Sequence, residues 1–286
     1  DAESGGICVY GQHKTQRTHN ILRPKERAMT EKLLKYTCDG ARIHVVFLNE
    51  AVKEISRVHS LSESDTSRLG QAAALAQCLT ADRKEDNASV AVSIRFPDSD
   101  KSYTAIAETD GRVRGMCDKA GSSVLDEVIL EVTQKLTVRG DYSSIVEGKD
   151  IEDAIAHYYK TSQQVEAHCA VLTFGKTYCC LLVEQFPITC EAEEVFRHAA
   201  DREWEHLQPF ITATELTDEA LKIFEKYRKV ADTPLRFGCT CNRRSVQAAL
   251  SAVDKEELKN AADEDGFVSV SCKYCGKHYR INVSED

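Results

Sequence analysis

The pattern that most constrains this chain lies near its end: Cys239-Thr240-Cys241, then thirty intervening residues, then Cys272-Lys273-Tyr274-Cys275. A CxC and a CxxC each present two sulfurs to one ion when the backbone turns sharply. Four thiolates in a tetrahedral array favour Zn²⁺ in a closed structural site, with an iron–sulfur centre as the weaker alternative. A lone CxxC says little, but a second pair at a module-sized distance makes the pattern specific. The flanking residues agree. Asn242 is placed to cap a helix over RRSVQAALSAV, and Asp254 a second one over DKEELKNAADED. Gly266 then releases the chain into FVSVSC, and Gly276 sets a tight turn before KHYRINV. A module of roughly fifty residues buries little core, so metal binding supplies a large share of its folding free energy.

Twelve cysteines in 286 residues would also fit a secreted disulfide scaffold. A chain of this length does not need such staples, and no signal peptide is visible, so metal binding in a reducing compartment is the better reading. Thiolates are the oxidisable form of cysteine, and oxidation to disulfides would remove the ligands and the metal together. On the residues alone, a redox switch and an inert structural site both stay open.

The sequence opens at Asp1 without methionine, which leaves room for an upstream segment, and aperiodic residues 1–24 read as a flexible tail. Residues 24–38 read as a helix stopped by Asp39-Gly40, followed by a strand over ARIHVVFLN. AVKEISRVHSLS returns to helical spacing, and Asp65 offers a cap for the Ala-rich helix after it. NASVAVSIRF, KSYTAIAETD and GRVRGMCD are strands, with Asp110-Gly111 as a hairpin turn. Another helix covers about 150–160, and AVLTFG and TYCCLLVEQF are strands separated by Gly175-Lys176. The expected class is therefore α+β, with a mixed core over 25–187. From 188 to 233 two stretches read as helices with broad polar faces, CEAEEVFRHAADREWEHLQPF and TELTDEALKIFEKYRKVAD. Isolated helices are marginal in water, so this segment is expected to fold against its neighbours, as a metastable linker or as an ordinary helical subdomain. Residues 234–286 form the cysteine module.

The net charge of −9 argues against a general nucleic-acid binder, leaving only Arg243, Arg244, Lys273, Lys277 and Arg280 for a local basic face. No apolar run reaches membrane-spanning length. Neither a phosphate loop nor a serine nucleophile elbow occurs, so no enzyme is expected. Asp110, Arg112 and Arg114 read as turn chemistry and paired surface charges. His198 and His206 share a helix with Glu194 and Asp201 but form no ligand motif, and a solvated acidic face is the plainer reading. His278 is superfluous where four thiolates fill the shell, though it could replace a lost ligand. Of the remaining cysteines, Cys78 reads as a buried small hydrophobe, and Cys8 and Cys190 as exposed.

The stretch PLRFGCTCNRRSVQAAL…EELKN…EDGFVSVSCKYCGKHYRI, from Pro234 to Ile281, resembles the Hsp33 family of redox-regulated chaperones. ETDGRVRGMCD at 108–118, IEDAIAHYYKTSQQVEAHCAV at 151–171 and LLVEQFP at 181–187 are similar to core segments of the same family. The chain departs from it at Cys179-Cys180 and at Thr161-Ser162-Gln163-Gln164. The resemblance implies a reduced, Zn²⁺-bound form of low activity, held by Cys239, Cys241, Cys272 and Cys275. It also implies that oxidation joins Cys239 to Cys241 and Cys272 to Cys275, frees the zinc and unfolds the linker. Apolar surface would then hold unfolding client proteins without ATP. The family further implies a homodimer when oxidised and transfer of clients to foldase chaperones. Its expected location is the cytoplasm, or a mitochondrion or other organelle if a leader precedes Asp1. A zinc-ribbon interaction module with a static metal is the rival function.

Overall fold

The computed structural model describes residues 31–83, 85–120, 125–136, 140–189, 194 and 196–283. The tail expected over 1–24, with Cys8, and also Cys190, lie outside the described residues.

The first described element corrects the sequence reading. Lys32–Cys38 is a strand, β1, not the end of a helix. Asp39-Gly40 is the two-residue loop of a hairpin to β2 (Ala41–Leu48), with Cys38 opposite Ala41 and Gly40 at φ +86°. Leu33 and Leu34 are both buried, on opposite faces of the strand. A short apolar run buried on both faces has no periodicity to separate strand from helix, and the Asp-Gly signal was the better guide.

After β2 come α1 (Glu50–His59) and α2 (Glu63–Leu79). The cap of α2 is Ser62 and not Asp65: Ser62 Oγ accepts the Asp65 amide at 3.1 Å, and its hydroxyl donates to Asp65 Oδ2 at 2.8 Å. Strands β3 (Ser89–Arg95), β4 (Lys101–Glu108) and β5 (Arg112–Lys119) form as read. They are joined by β6 (Val128–Leu136) and β7 (Gly140–Gly148), which the sequence reading left unassigned. Then follow α3 (Ile151–Tyr158), a π-helical turn, and the hairpin of β8 (Ala167–Phe174) and β9 (Thr177–Gln185).

The region after β9 is only partly helical. It contains α4 (Ala199–Ile211), a single turn α5 (Asp218–Leu221) and a 3₁₀ turn over 222–226. The helical reading fails at Arg228–Pro234, which is strand β10, paired antiparallel with β1 from Lys32↔Pro234 to Thr37↔Arg228. RKVADTP has no apolar stripe to hold a helix against the protein, whereas β1 offers an open edge. A proline at the end of an edge strand costs no ladder hydrogen bond.

Two sheets result, in the orders β10-β1-β2-β9-β8 and β11-β5-β4-β3-β6-β7, where β11 is the short Arg236–Phe237. The main core lies between them, filled by α2, whose Ala72, Ala73, Leu75 and Ala76 are fully buried. Small side chains let this helix touch both sheets. The other face of the five-stranded sheet forms a second core with α4 and the 3₁₀ turn, joining Ile43, Val45, Phe47, Leu181 and Val183 to Leu207, Phe210, Phe224 and Tyr227. Among the described residues no helix is long and apolar enough to cross a membrane.

The chain passes from β10 to β11 across the Asp110-Gly111 turn. Gly111 has φ +85°, and a Cβ there would sit 2.2 Å from the Pro234 carbonyl oxygen. Gly140 has a similar φ of +79° with no atom near its Cβ position. Gly140→Ala should therefore cost only backbone strain, about 1–3 kcal/mol, while Gly111→Ala should cost distinctly more in urea unfolding. Equal costs would mean that the β5–β11 junction is not close-packed.

Candidate metal centre

The first cysteine pair leaves a tethered strand. Gly238 N–H donates to the Val113 carbonyl at 3.0 Å, which carries the chain past β5 and into Cys239. Asn242 and Ser245 then form a reciprocal capping box that starts α6 (Arg243–Leu250). Asp254 Oδ1 accepts the Glu256 amide at 2.8 Å and caps α7 (Lys255–Ala261). Gly266 at φ +78° opens β12 (Phe267–Ser271), which pairs with β13 (His278–Asn282). The second cysteine pair sits in the loop between these strands, where the Cys272 amide donates to Lys277 O and the Gly276 amide to Cys272 O, each at 2.9 Å. These caps and turns follow the sequence reading.

The four sulfurs converge, all within 4.8 Å of one another, on half-buried residues. Cys239 Sγ is 3.7 Å from Cys272 Sγ, and Cys241 Sγ is 3.4 Å from Cys275 Sγ. Thiolates held at about 2.3 Å from one ion in a tetrahedron stand about 3.8 Å apart, whereas a disulfide needs about 2.05 Å. The cysteines are free thiols grouped so that they could hold a metal ion, and a four-sulfur donor set fits Zn²⁺. Tyr279 Oη donates to Cys241 Sγ at 3.1 Å. Burial opposes a thiolate at Cys241, but the hydrogen bonds from Tyr279 and the neighbouring thiols outweigh it and lower its pKa to about 7. Burial dominates at Cys239 and pushes its thiol up to about 12. A bound cation would favour the charged form at every ligand.

The module rests on the core through few and mostly polar contacts. His59 Nε2 is 3.2 Å from the Tyr274 carbonyl oxygen, and Lys273 Nζ is 3.2 Å from Asp118 Oδ2. The Arg114 guanidinium lies 5.5 Å from the centre of the Tyr274 ring. Asp110 does more than shape its turn, because Arg112 at 2.8 Å and Arg236 at 3.1 Å both pair with its Oδ2. Three basic residues of the cysteine module are engaged within it. Arg280 pairs with Asp263 and Asp265, Arg243 donates to the Arg280 carbonyl, and Lys277 lies over the Tyr279 ring. His278 is exposed, bonded to Ser271 Oγ at 2.7 Å, and stands outside the thiolate group.

Cys78, Cys169, Cys179 and Cys180 are buried in the core. Burial raises the Cys78 and Cys179 thiols and takes Cys38 up to about 11, so these are poor nucleophiles. His206 pairs with Glu203 at 3.3 Å, while His198 meets Asp201 and a residue from another element, Glu166. No sequence motif links Glu166 to His198, and only the fold brings them together.

A family model described as Hsp33 protein matches residues 31–282. The chain belongs to the Hsp33 family. The 33 kDa chaperonin of Streptococcus mutans is 24% identical over 282 residues, covering 89% of this chain and 97% of that protein. The 33 kDa chaperonin of Shewanella loihica is 25% identical over 270 residues, with 87% and 92% covered. A solved Hsp33 homologue from Thermotoga maritima superimposes with a TM-score of 0.68 over 90% of this chain and 96% of its own, at 21% identity. That likeness shows the shared fold. Hsp33 membership, with relatives named as 33 kDa chaperonins, supports a chaperone function for this chain. Its four-cysteine group is one able to hold a metal ion.

Proposed function

We propose that this chaperone is an ATP-independent holdase that is switched on by oxidation of its four-thiolate zinc centre. The observation that carries the reading is the place of the apolar sheet face formed by Ile43, Val45, Phe47, Leu181 and Val183. It is covered by the chain segment that immediately precedes the cysteines. In this reading residues 25–187 are the core, 188–233 the cover and 234–286 the switch.

Reduced Cys239, Cys241, Cys272 and Cys275 hold Zn²⁺, which neutralises clustered thiolates and orders a module with little core of its own. Peroxide takes two electrons from each pair of thiolates. One S–S bond forms per pair, joining Cys239 to Cys241 and Cys272 to Cys275, and with two protons each peroxide becomes two waters. No thiolate then remains to bind the metal. The sulfurs of Cys239 and Cys272 stand 3.7 Å apart and those of Cys241 and Cys275 3.4 Å apart. These spacings suit a shared ion and not an S–S bond of about 2.05 Å, so disulfide formation requires the loops to relax once the ion leaves.

The cover has weaknesses suited to release. Pro209 lies inside α4, where it removes a backbone hydrogen bond and costs about 3 kcal/mol. Glu203 of α4 is buried within the cover and is held by Tyr227 Oη at 3.0 Å and by His206 and Lys226. Once β10 and the module lose their anchorage, the freed sheet face offers a large apolar surface to unfolding proteins.

Light scattering from an aggregating client tests this with one preparation split into reduced zinc-loaded and peroxide-treated samples. Suppression confined to the oxidised sample is expected. Equal suppression in both would mean a constitutive chaperone with a structural metal, and none in either would favour a static interaction module.

A further inference from the structure

Leu181 and Val183 lie on the sheet face beneath the cover, and Gln185 continues that face at the end of β9. It is buried, and both polar atoms of its amide are engaged. Nε2 donates to the Gly40 carbonyl at 2.8 Å, to the Phe196 carbonyl at 3.1 Å and, less closely, to the Phe186 carbonyl at 3.3 Å. Oε1 accepts the Ala200 amide at 3.1 Å. One side chain thus ties together β9, the β1–β2 turn and the start of the cover.

Two further observations give these bonds weight. The first turn of α4 has no cap of its own, because His198 stands before it at φ +63° with a side chain that accepts no helix amide. Early helix amides have no intrahelical acceptor, and a buried one, as at Ala200, needs a partner from elsewhere. Gln185 supplies it. At the turn, a Cβ on Gly40 would lie 2.5 Å from Phe196 Cβ and 2.8 Å from Ala199 Cβ, so turn and cover meet with no room for a side chain between them.

We infer that Gln185 is a positioning residue of the switch, a latch that caps α4 from the sheet and holds the cover on the β1–β2 turn in the reduced protein. An amide suits the role because it donates and accepts at once. Neither a carboxylate nor a thioether of similar length makes the bonds to Gly40, Phe196 and Ala200 together. Once the cover lifts, the same groups bond to water, so the latch opposes release without forbidding it. Its effect on client binding rests on the holdase reading above, whereas its hold on α4 does not.

Gln185→Met and Gln185→Glu test this in reduced, zinc-loaded, full-length protein. The first keeps nearly the volume and removes the bonds; the second keeps an acceptor for Ala200 but turns an oxygen toward the Gly40 and Phe196 carbonyls. Amide hydrogen exchange in α4 should quicken about tenfold or more in both, the factor by which a buried group without its partner shifts an equilibrium. Zinc content and exchange in β2 and β9 should stay as in the wild type, and both variants should suppress client aggregation before peroxide is added. Unchanged α4 exchange in both overturns the latch. So does quickened exchange in variants that still hold clients only after peroxide. Quickened exchange, where even the oxidised wild type holds no client, keeps the latch and removes the holdase reading instead. Should neither variant fold, the wild type decides: the Ala200 amide should be protected when reduced and lose that protection after peroxide. Fast exchange of that amide in the reduced protein overturns the latch.

Discussion

Cys272→Ser is expected to lower zinc affinity by more than about 100-fold and to unfold the C-terminal module under reducing conditions. The lower bound comes from partners outside the ligand set, whose loss alone costs about 10–100-fold. The structural effect follows from how little else holds the module. Apart from Leu235, which packs into the main core, its buried apolar residues among those described are Val268, Tyr279 and Ile281, and neither α6 nor α7 buries a residue. Structural zinc contributes roughly 10–16 kcal/mol in modules of this kind, which exceeds what three such side chains can supply at about 1.5–3 kcal/mol each. Tyr279 would also lose its acceptor if Cys241 moved, which couples the sulfur centre to β13.

The measurements are chelator competition for zinc and the melting profile of the reduced protein. His278 lies opposite Ser271 in the hairpin, and Ser271 precedes Cys272, so His278 is the imidazole to test as a substitute for a lost thiolate. Cys272→Ser with His278→Ala should therefore bind zinc no better than the single variant, and worse where the histidine compensates. A double variant that kept tight zinc and the wild-type melt would refute the linkage between metal and module fold.

The legible parts of this chain are those fixed by local chemistry. Each cysteine pair, the caps Asn242 and Asp254, and the turns at Gly266 and Gly276 act within a few residues, so local spacing was sufficient for them, and the fold brings the two pairs together. Asp110-Gly111 was legible for the same reason. The errors occur where tertiary context decides. Lys32–Cys38 became a strand because β2 and β10 flank it, and Arg228–Pro234 because β1 lacked a neighbour. Strand β6 has an alternating pattern that could have been read, while β7 is an exposed edge strand with little signal. Asp65 was mistaken for a cap because Ser62, three residues earlier, has the same chemistry and the better position. The meeting of Glu166 with His198 and Asp201 depends on how α4 lies on the sheet, which no local pattern encodes.

Phe210→Ala separates the two halves of the proposed switch, because it should release the cover while leaving the thiolates untouched. Phe210 is 1% exposed, and its ring lies 5.0 Å from Phe224, 5.8 Å from Phe174 and 6.4 Å from Phe47. It therefore joins α4 both to the 3₁₀ turn and to the sheet face beneath. Its truncation costs about 3–5 kcal/mol. Much of that should fall on docking, since the sheet keeps its other face packed on α2. The expected protein retains zinc and reduced cysteines, shows altered Trp204 emission, and suppresses client aggregation without oxidant. Leu75→Ala is the control: it removes about 2–5 kcal/mol from the core between the sheets without uncovering the outer face. It should lower the melting temperature and gain no client binding in the reduced state. If Phe210→Ala still needed peroxide to hold a client, release of this cover would not be the step that oxidation triggers. If both variants gained activity equally, general loosening rather than the covered sheet face would be the source of client binding.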